Sequence, residues 1–182
     1  PVIGICGGNQ MLGTAIYDPH HMEGDIEESE GLGLVNSTTT MKDKKTTHQV
    51  TFDVDNLQFL NGQFSGSELV GYEIHMGDTT PNDESVKRCF TITKRSESAI
   101  EVVDGFIDGQ HQVMGTYIHG VFDNDDFRRF IVNQLRLRKG LEEMPVVFHY
   151  FEHKNNAYNR LADIVEEHLD MDYIMSLLKD NG

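Results

Sequence analysis

The sequence predicts an α/β fold that ends in a helical tail. A short apolar segment runs into a glycine-rich turn at residue 6, strand-like segments at hairpin spacing fill the middle, and apolar residues at helical spacing follow. A length of 182 residues, 38% of them hydrophobic, allows one ordinary buried core. We therefore expect one domain over residues 1–182, with residues 141–182 as its helical tail.

The N-terminal elements are predicted to be a strand and a short helix. Pro1–Ile5 is short and apolar and leads into glycines, which is typical of a buried strand entering a tight turn. Asn9–Ile16 predicts a helix that ends near Tyr17–Pro19. The polar, glycine-containing segment from His20 to Gly33 predicts a loop.

The middle of the chain is predicted to be rich in strands. Segments with strand composition are His48–Val54, Leu69–His75, Val86–Thr93 and Ala99–Val103. The hairpin-type dipeptide Asp108-Gly109 lies between Phe106–Ile107 and Val113–Ile118, so it predicts a turn between two further strands.

The C-terminal part is predicted to be helical. Asn124 or Asp125 can cap a first helix, because both side chains accept hydrogen bonds from free backbone amides. The apolar face of this helix consists of Phe127, Phe130, Ile131 and Leu135. A second helix has apolar residues at Leu161, Ile164, Val165 and Leu169. Asp170 or Asp172 can cap a last short helix that runs through Leu178.

The charge balance excludes one class of partner. Lysine and arginine total 15 and aspartate and glutamate total 30, so the formal net charge is −15 and we expect no nucleic-acid partner. No apolar segment approaches the ~20 residues of a membrane span, and no apolar leader is evident, so we expect no membrane partner and a cytoplasmic location. The first residue is Pro1, which suggests that the chain belongs to a longer polypeptide.

The two cysteines, Cys6 and Cys89, lie in different settings. Cys89 lies in the strand-like segment Arg88–Thr93 and is expected to be a buried hydrophobic residue. Nothing suggests a disulfide framework, and a free Cys6 fits a reducing compartment.

The segment Gly4-Ile5-Cys6-Gly7-Gly8 predicts a nucleophile on a strained strand-to-helix turn. The flanking glycines are expected because side chains there would collide with neighbouring backbone. The positive end of the following helix stabilises a thiolate, and free amides after Cys6 can face a developing oxyanion. A buried cysteine in a glycine turn is the alternative that five residues alone leave open.

Further residues carry a resemblance to a known family. The segment CGGNQMLG at 6–13 resembles the nucleophile segment of class I (triad-type) glutamine amidotransferases, in which a glutamine at the position of Gln10 helps to hold the substrate. The segments GYEIHMG at 71–77 and GTYIHGVFD at 115–123 resemble the branch that amidates cobyric and cobyrinic acid, with His119 as the catalytic histidine. Residues 158–163 and 167–172 resemble the end of cobyric acid synthases.

The resemblance implies a flavodoxin-like class I glutamine amidotransferase domain, a mixed sheet flanked by helices, with its N-terminal part missing. It implies Cys6 as nucleophile and His119 as base. Glutamine-binding residues are expected at Gly7, Gly8, Gln10, Tyr72, Glu73 and His75. For His75 a structural role at a strand end is an equally good alternative. The same alternative applies to Tyr72 and Glu73. Ammonia released through a cysteine thioester would convert adenosylcobyrinic acid a,c-diamide to adenosylcobyric acid.

The resemblance implies no cofactor in this domain. No Gly-x-x-x-x-Gly-Lys-Ser/Thr loop occurs, so ATP, Mg²⁺ and the corrinoid substrate are expected in a missing synthetase domain. Amidotransferase domains also carry strands, and a loop with an oxyanion-hole amide, before the nucleophile. We therefore expect little or no glutaminase activity from these residues alone.

One position departs from the general pattern. Many class I amidotransferases carry a glutamate two residues after the catalytic histidine, where it orients the imidazole; here that residue is Val121. The orienting acid is left open between Glu73, Asp123 and a residue upstream of Pro1.

Other functional hypotheses are a related amidotransferase subunit for cobyrinic acid or a cell-wall precursor, a partner-binding module without catalysis, and a zinc hydrolase. The last depends on His149–His153, which fits H-x-x-E-H. This short pattern lacks an evident third ligand, so a structural role and no metal site are expected. His20 and His21, next to Glu23, are expected in a surface loop.

Overall fold

The computed structural model describes residues 1–110 and 112–179. The chain divides into two compact units, Pro1–Pro145 and Val146–Gly182. The first unit contains strands in two mixed sheets, together with two helices; the second contains two helices. The predicted α/β class, with mixed sheets flanked by helices, is confirmed.

The first unit opens with the predicted strand and helix around Cys6. Strand β1 (Val2–Ile5) leads into helix α1 (Gly7–Met11), and Cys6 is the residue between them. The predicted helix through Ile16 is wrong at its C-terminal end, because strand β2 (Ala15–Tyr17) begins there. Pairing of β2 with two neighbouring strands outweighs the local helical pattern. One of those neighbours, β3 (Glu28–Glu30), lies in the predicted loop, so the loop prediction is wrong for these residues.

Two long antiparallel strands form the centre of the larger sheet. Strand β4 (Ser37–Phe59) contains the predicted segment His48–Val54, and β5 (Gly62–Pro81) contains Leu69–His75. Both predictions were right in type but short, because the β4–β5 pairing continues from Ser37 with Pro81 to Phe59 with Gly62.

A large bulge interrupts the β4–β5 pairing. Met41 pairs with Gly77 and Thr46 pairs with His75, so residues 42–45 of β4 lie opposite Met76 alone. Bulges redirect side chains and are frequent beside active sites. This one brings Lys45 to the cavity described below.

Strands β6 (Phe90–Arg95) and β7 (Ser98–Asp104) extend the larger sheet beside β4. The prediction of a strand from Val86 is wrong for residues 86–89, where Lys87 forms an isolated bridge with Ile107. Cys89 is only 6% exposed and belongs to the hydrophobic core, as predicted, and burial raises the pKa of its thiol.

The predicted hairpin at Asp108-Gly109 is confirmed. Strands β8 (Phe106–Ile107) and β9 (Val113–Thr116) pair antiparallel, and the Asp108 carboxylate accepts backbone hydrogen bonds from Gln112 and Val113. Strand β9 also pairs in parallel with β1. Strand β10 (Ile118–His119) then leaves this small sheet and pairs with β5 in the larger one. A 3-10 turn (Val121–Asp123) follows.

Helix α2 (Asp125–Arg138) packs on the core through Phe127 and Ile131, as predicted. Leu135, predicted on the same face, is 37% exposed, and Gln134 is buried instead because it packs against Gly62. Asn124 occupies the cap position but its side chain makes no cap hydrogen bond. It bonds the backbone N–H and C=O of Val70 at 2.9 Å each, which ties the start of the helix to β5.

The second unit contains helices α3 (Tyr150–His168) and α4 (Met171–Lys179). Asp170 caps α4, since its carboxylate accepts the Tyr173 backbone N–H at 3.0 Å. The two predicted C-terminal helices are therefore confirmed. Over the residues that the structure describes, no helix is long and apolar enough to cross a membrane.

Candidate active site

Cys6 occupies a strained corner between β1 and α1. Its backbone angles are φ 55° and ψ −114°, a positive φ that residues with a side chain rarely adopt. The Cys6 N–H donates to the Thr116 carbonyl at 2.9 Å, and the Cys6 carbonyl accepts the Gln10 N–H at 3.2 Å. The predicted strand-to-helix corner is therefore present, held by β9 on one side and α1 on the other.

The glycines on the two sides of Cys6 have different structural roles. A Cβ on Gly4 would lie 2.5 Å from the Gly8 carbonyl oxygen, so the close approach of α1 to β1 requires glycine there. The predicted collision at Gly8 is wrong, because no atom lies within 4 Å of a Cβ built on Gly8 or on Gly7. Glycine at these two positions leaves open space beside the nucleophile.

The Cys6 thiol and the His119 ring both lie against one short section of β5. The Cys6 Sγ–H donates to the Ile74 carbonyl across 3.6 Å. His119 pairs with Tyr72 in the β10–β5 ladder, and their rings stack with centroids 4.8 Å apart and an interplanar angle of 12°. Residues two apart on a strand are separated by roughly 7 Å and point to the same face. The fold therefore places both predicted catalytic residues against the same section of β5.

The His119 imidazole is in the form that a base requires. Burial lowers its pKa, and the charge of His75 lowers it further. Its Nε2 is buried and has no hydrogen-bond partner within the described part of the chain. A neutral ring with a free nitrogen can accept a proton, and hydrogen bonds in unliganded active sites often tighten only when substrate binds.

The orienting acid stays open. Val121 is 0% exposed and packs in the core, so it contributes apolar contacts rather than a hydrogen bond. Both carboxylate oxygens of Glu73 contact Arg95, and one also contacts His75. Asp123 lies beside Gly120, where a Cβ would be 3.3 Å from its Oδ2. The stacked Tyr72 ring is the contact that restricts the orientation of the imidazole.

A cavity of about 510 Å³ opens at the thiol. Its lining contains four of the predicted site residues: Cys6, Gly7, Gln10 and His75. The lining also contains the charged residues Asp18, Glu23, Asp25 and Lys45. The other predicted residues do not line this cavity: Tyr72 and His119 stack on each other, Glu73 is buried against His75, and Gly8 is in α1. A zwitterionic amino acid fits a space of this size with charges of both signs.

Gln10 is held by a chain of hydroxyl groups that sequence analysis did not identify. The buried Tyr117 hydroxyl hydrogen-bonds the Gln10 side chain and the Thr79 hydroxyl, the latter at 2.7 Å, and Thr79 contacts Thr39 at 2.7 Å. Burial raises the pKa of Tyr117 to about 12, so the hydroxyl keeps its proton. The backbone of Gly77 passes so close that a Cβ there would lie 2.3 Å from Gln10 Nε2.

A buried ion pair behind His75 was also missed. Arg95 on β6 donates from Nε to Glu73 Oε2 at 2.7 Å and from Nη2 to Glu73 Oε1 at 2.9 Å. The His75 ring stacks on Tyr117 with centroids 4.0 Å apart. Nothing in the sequence marked Arg95, because its contact with β5 depends on how β4 to β6 pair.

The H-x-x-E-H segment lies in the second unit. His149 immediately precedes α3, and His153 lies in the first turn, where Phe148 packs on its ring with centroids 5.3 Å apart. Within residues 1–110 and 112–179, no group of three or more histidine, cysteine, aspartate or glutamate side chains could hold a metal ion.

Similar sequences are found among known proteins. Residues 1–127 match the model of the CobB/CobQ-like glutamine amidotransferase domain. A cobyric acid synthase of Dehalococcoides mccartyi (strain 195) is 40% identical over 179 residues, 98% of this chain and 34% of the relative. A cobyric acid synthase of Caldanaerobacter subterraneus subsp. tengcongensis is 39% identical over 183 residues, which cover 98% of this chain and 35% of the relative. A cobyric acid synthase of Clostridium botulinum (strain 657) is 41% identical over 178 residues, which cover 97% of this chain and 34% of the relative.

The chain thus spans about a third of the length of these curated relatives. The family match covers both the Cys6 corner and the His119 segment, the two parts of the chain that meet on β5. The chain therefore belongs to the CobB/CobQ-like glutamine amidotransferase domain family.

Proposed function

We propose that this chain is the glutamine-hydrolysing part of a cobyric acid synthase, with Cys6 as nucleophile and His119 as proton acceptor. The observation that carries the proposal is the placement on one section of β5 of a strained cysteine and of an imidazole whose Nε2 has no hydrogen-bond partner among the described residues. The names of the similar proteins support the choice of cobyric acid synthase within the family.

In the first step the Cys6 sulfur attacks the side-chain amide carbon of glutamine. The thiol proton passes to His119, whose lowered pKa keeps the ring neutral and ready to accept it. The carbonyl oxygen becomes an oxyanion in the space beside Gly7 and Gly8, and backbone N–H groups at the start of α1 stabilise it.

In the second step the tetrahedral intermediate collapses. The C–N bond breaks, His119 gives its proton to the departing nitrogen, and ammonia leaves. The glutamyl group remains on Cys6 as a thioester. A water molecule then attacks the thioester, gives a proton to His119, and releases glutamate and the free thiol.

Glutamine is held within this cavity. Gln10, fixed by Tyr117, and His75, which lines the cavity beside Cys6, contact the substrate. Tyr72 acts by holding the His119 ring. Glu73 acts through His75, because its carboxylate is 2% exposed and occupied by Arg95 and His75.

The second half of the reaction belongs to the larger enzyme. Ammonia passes to an ATP-dependent part of the full-length protein, which amidates adenosylcobyrinic acid a,c-diamide to adenosylcobyric acid. We assign ATP, Mg²⁺ and the corrinoid to residues beyond this chain. Growth of a cobalamin-requiring strain that lacks cobyric acid synthase, when supplied with the full-length gene, tests the acceptor. Failure to grow despite normal glutaminase activity would favour another acceptor, such as cobyrinic acid or a cell-wall precursor.

Chemical labelling tests the catalytic assignment. A glutamine-analogue electrophile is expected to modify Cys6 in the full-length natural protein, and mass spectrometry locates the modified residue. Cys89 is an internal control, because a thiol buried in the core should not react. Cys6→Ala should abolish glutaminase activity and leave ammonia-dependent amidation intact. Absence of labelling at Cys6 would instead support the partner-binding alternative.

A further inference from the structure

Behind the cavity, three charged side chains from two strands form a connected series that we call the Arg95–Glu73–His75 relay. Glu73 accepts the two-point contact from Arg95, and its Oε1 lies 3.3 Å from His75 Nε2. Burial alone would raise the pKa of Glu73, but the hydrogen bonds and charges of His75 and Arg95 outweigh it and lower the pKa. Glu73 is therefore a buried, fully paired carboxylate.

The contacts of His75 match a doubly protonated ring. Its Nδ1 lies 2.8 Å from the Gly77 carbonyl oxygen, and its Nε2 faces the Glu73 carboxylate. A carbonyl and a carboxylate are both acceptors, so each ring nitrogen must carry a proton to make its bond. The ring is also fixed from one side by stacking on Tyr117, and it lines the cavity beside Cys6.

The relay gives the two histidines different roles. Burial keeps His119 neutral, and the positive charge of His75 acts in the same direction. A cation near a thiol favours the thiolate, which is the reactive form.

The charge balance around Glu73 explains why Arg95 matters. Arg95 and a protonated His75 bring two positive charges to one carboxylate, so one positive charge remains and the ring presents it to the cavity. Without Arg95, the Glu73–His75 pair would carry no net charge. Other charged and titratable groups also lie near His75. They are Glu73 and Asp78 on its own strand, Arg88, Arg95, Asp104, Tyr117, His119, Cys6 and the charged residues of the cavity lining.

We propose that the Arg95–Glu73–His75 relay holds a positively charged imidazole beside Cys6, and that Arg95 and Glu73 are positioning residues for the attack of the thiol. This inference rests on the proposed glutamine hydrolysis. It assigns a role to Arg95, which lies on a different strand from every other residue of the site.

The test compares Arg95→Met and Arg95→Lys with Lys94→Met in the full-length natural protein. Lys94 is the matched control, because it is the neighbouring cation on β6 and pairs with the exposed Glu97. We expect Arg95→Met to lower kcat/KM for glutamine hydrolysis about 10- to 100-fold, as for loss of a charge-assisted hydrogen bond. Arg95→Lys should lose less, since it keeps the charge but not the two-point contact. Lys94→Met should behave as wild type.

Two further measurements separate positioning from a merely structural effect. In Arg95→Met the acid limb of the pH profile of kcat/KM should move to higher pH, because one positive charge that opposes protonation of His119 has been removed. Alkylation of Cys6 by iodoacetamide at neutral pH should slow in parallel with kcat/KM. The proposal would be overturned if kcat/KM of Arg95→Met fell equally at every pH while Cys6 was alkylated at the wild-type rate. A wild-type kcat/KM in Arg95→Met would also overturn it. Ammonia-dependent amidation verifies that each variant is folded.

The relay can also be tested independently of the proposed function. If the wild-type protein neither hydrolyses glutamine nor reacts with a glutamine analogue, the proposed function fails by itself. ¹⁵N NMR of histidine-labelled protein then reports on His75, whose signal is identified by its loss in His75→Gln. We expect protons on both ring nitrogens at neutral pH in the wild type and also in Arg95→Met, because both acceptors of His75 remain and a nearby cation is removed. One proton in the wild type would contradict the relay.

Discussion

Substitution of Gly77 by alanine tests how Gln10 is held at the cavity. A Cβ at position 77 would lie 2.3 Å from Gln10 Nε2 and 2.6 Å from the Tyr117 hydroxyl oxygen. Ordinary contacts of a methyl group need roughly 3.5 Å, so the Gln10 amide must move by about 1 Å. Misplacement by about 1 Å can lower activity on the order of 100-fold. We expect Gly77→Ala to lower kcat/KM for glutamine about 10- to 100-fold, mainly through KM.

The assay is a double-mutant cycle on glutamine hydrolysis by the full-length protein. The variants are Gly77→Ala, Gln10→Ala and the pair, with Gly109→Ala as the matched control because its Cβ would meet only Ser85 O at 3.4 Å. If Gly77 acts through Gln10, the alanine at 77 should have little further effect once Gln10 is gone. Two effects that simply multiply, or a Gly77→Ala variant with wild-type KM, would refute the reasoning.

The remaining predictions concern His119 and the buried Val121 two residues after it. Tyr72→Leu should lower kcat about 2- to 12-fold by removing a stacking contact worth about 0.5–1.5 kcal/mol, while Tyr158→Leu, an exposed tyrosine in α3, should not. Because burial lowers the pKa of His119, the reactive neutral ring is lost only as the pH falls through that lowered pKa. The acid limb of kcat/KM should therefore lie below about pH 6.5, the ordinary pKa of histidine. An acid limb above pH 6.5 would contradict the burial argument. Val121→Glu should not supply the orienting acid. It should lower the free energy of unfolding by several kcal/mol, as urea titration would show, whereas Val132→Glu on the exposed side of α2 should be mild.

Local elements were predicted where the sequence pattern and the tertiary contacts agree. The strand, corner and helix around Cys6 follow from an apolar run, glycines and a following polar segment, and all three are present. The Asp108-Gly109 hairpin and the Asp170 cap are also local, because the carboxylate in each case bonds amides a few residues away. Such interactions act over one turn, so the sequence contains what they need.

Predictions failed where a distant strand decided the outcome. Ala15 and Ile16 have helical neighbours in the sequence, but pairing with β3 and β4 places them in a strand. Leu135 continues the apolar spacing of α2, yet Gln134 is the buried residue because Gly62 leaves room for it. The collision expected at Gly8 was likewise wrong, since nothing packs over that position. Packing partners that are remote in sequence set these outcomes.

The sequence by itself determined the chemical groups and their local setting: a cysteine on a glycine corner, a histidine in a recognisable segment, and the family to which both belong. Only the tertiary structure decided which groups meet. The pairing of β10 with β5 places His119 on Tyr72 near Cys6, and the pairing of β4 with both β5 and β6 brings Arg95 to Glu73 and His75. Local preferences extend over a few residues, whereas strand pairing is chosen by burial across the whole unit, which no single segment encodes.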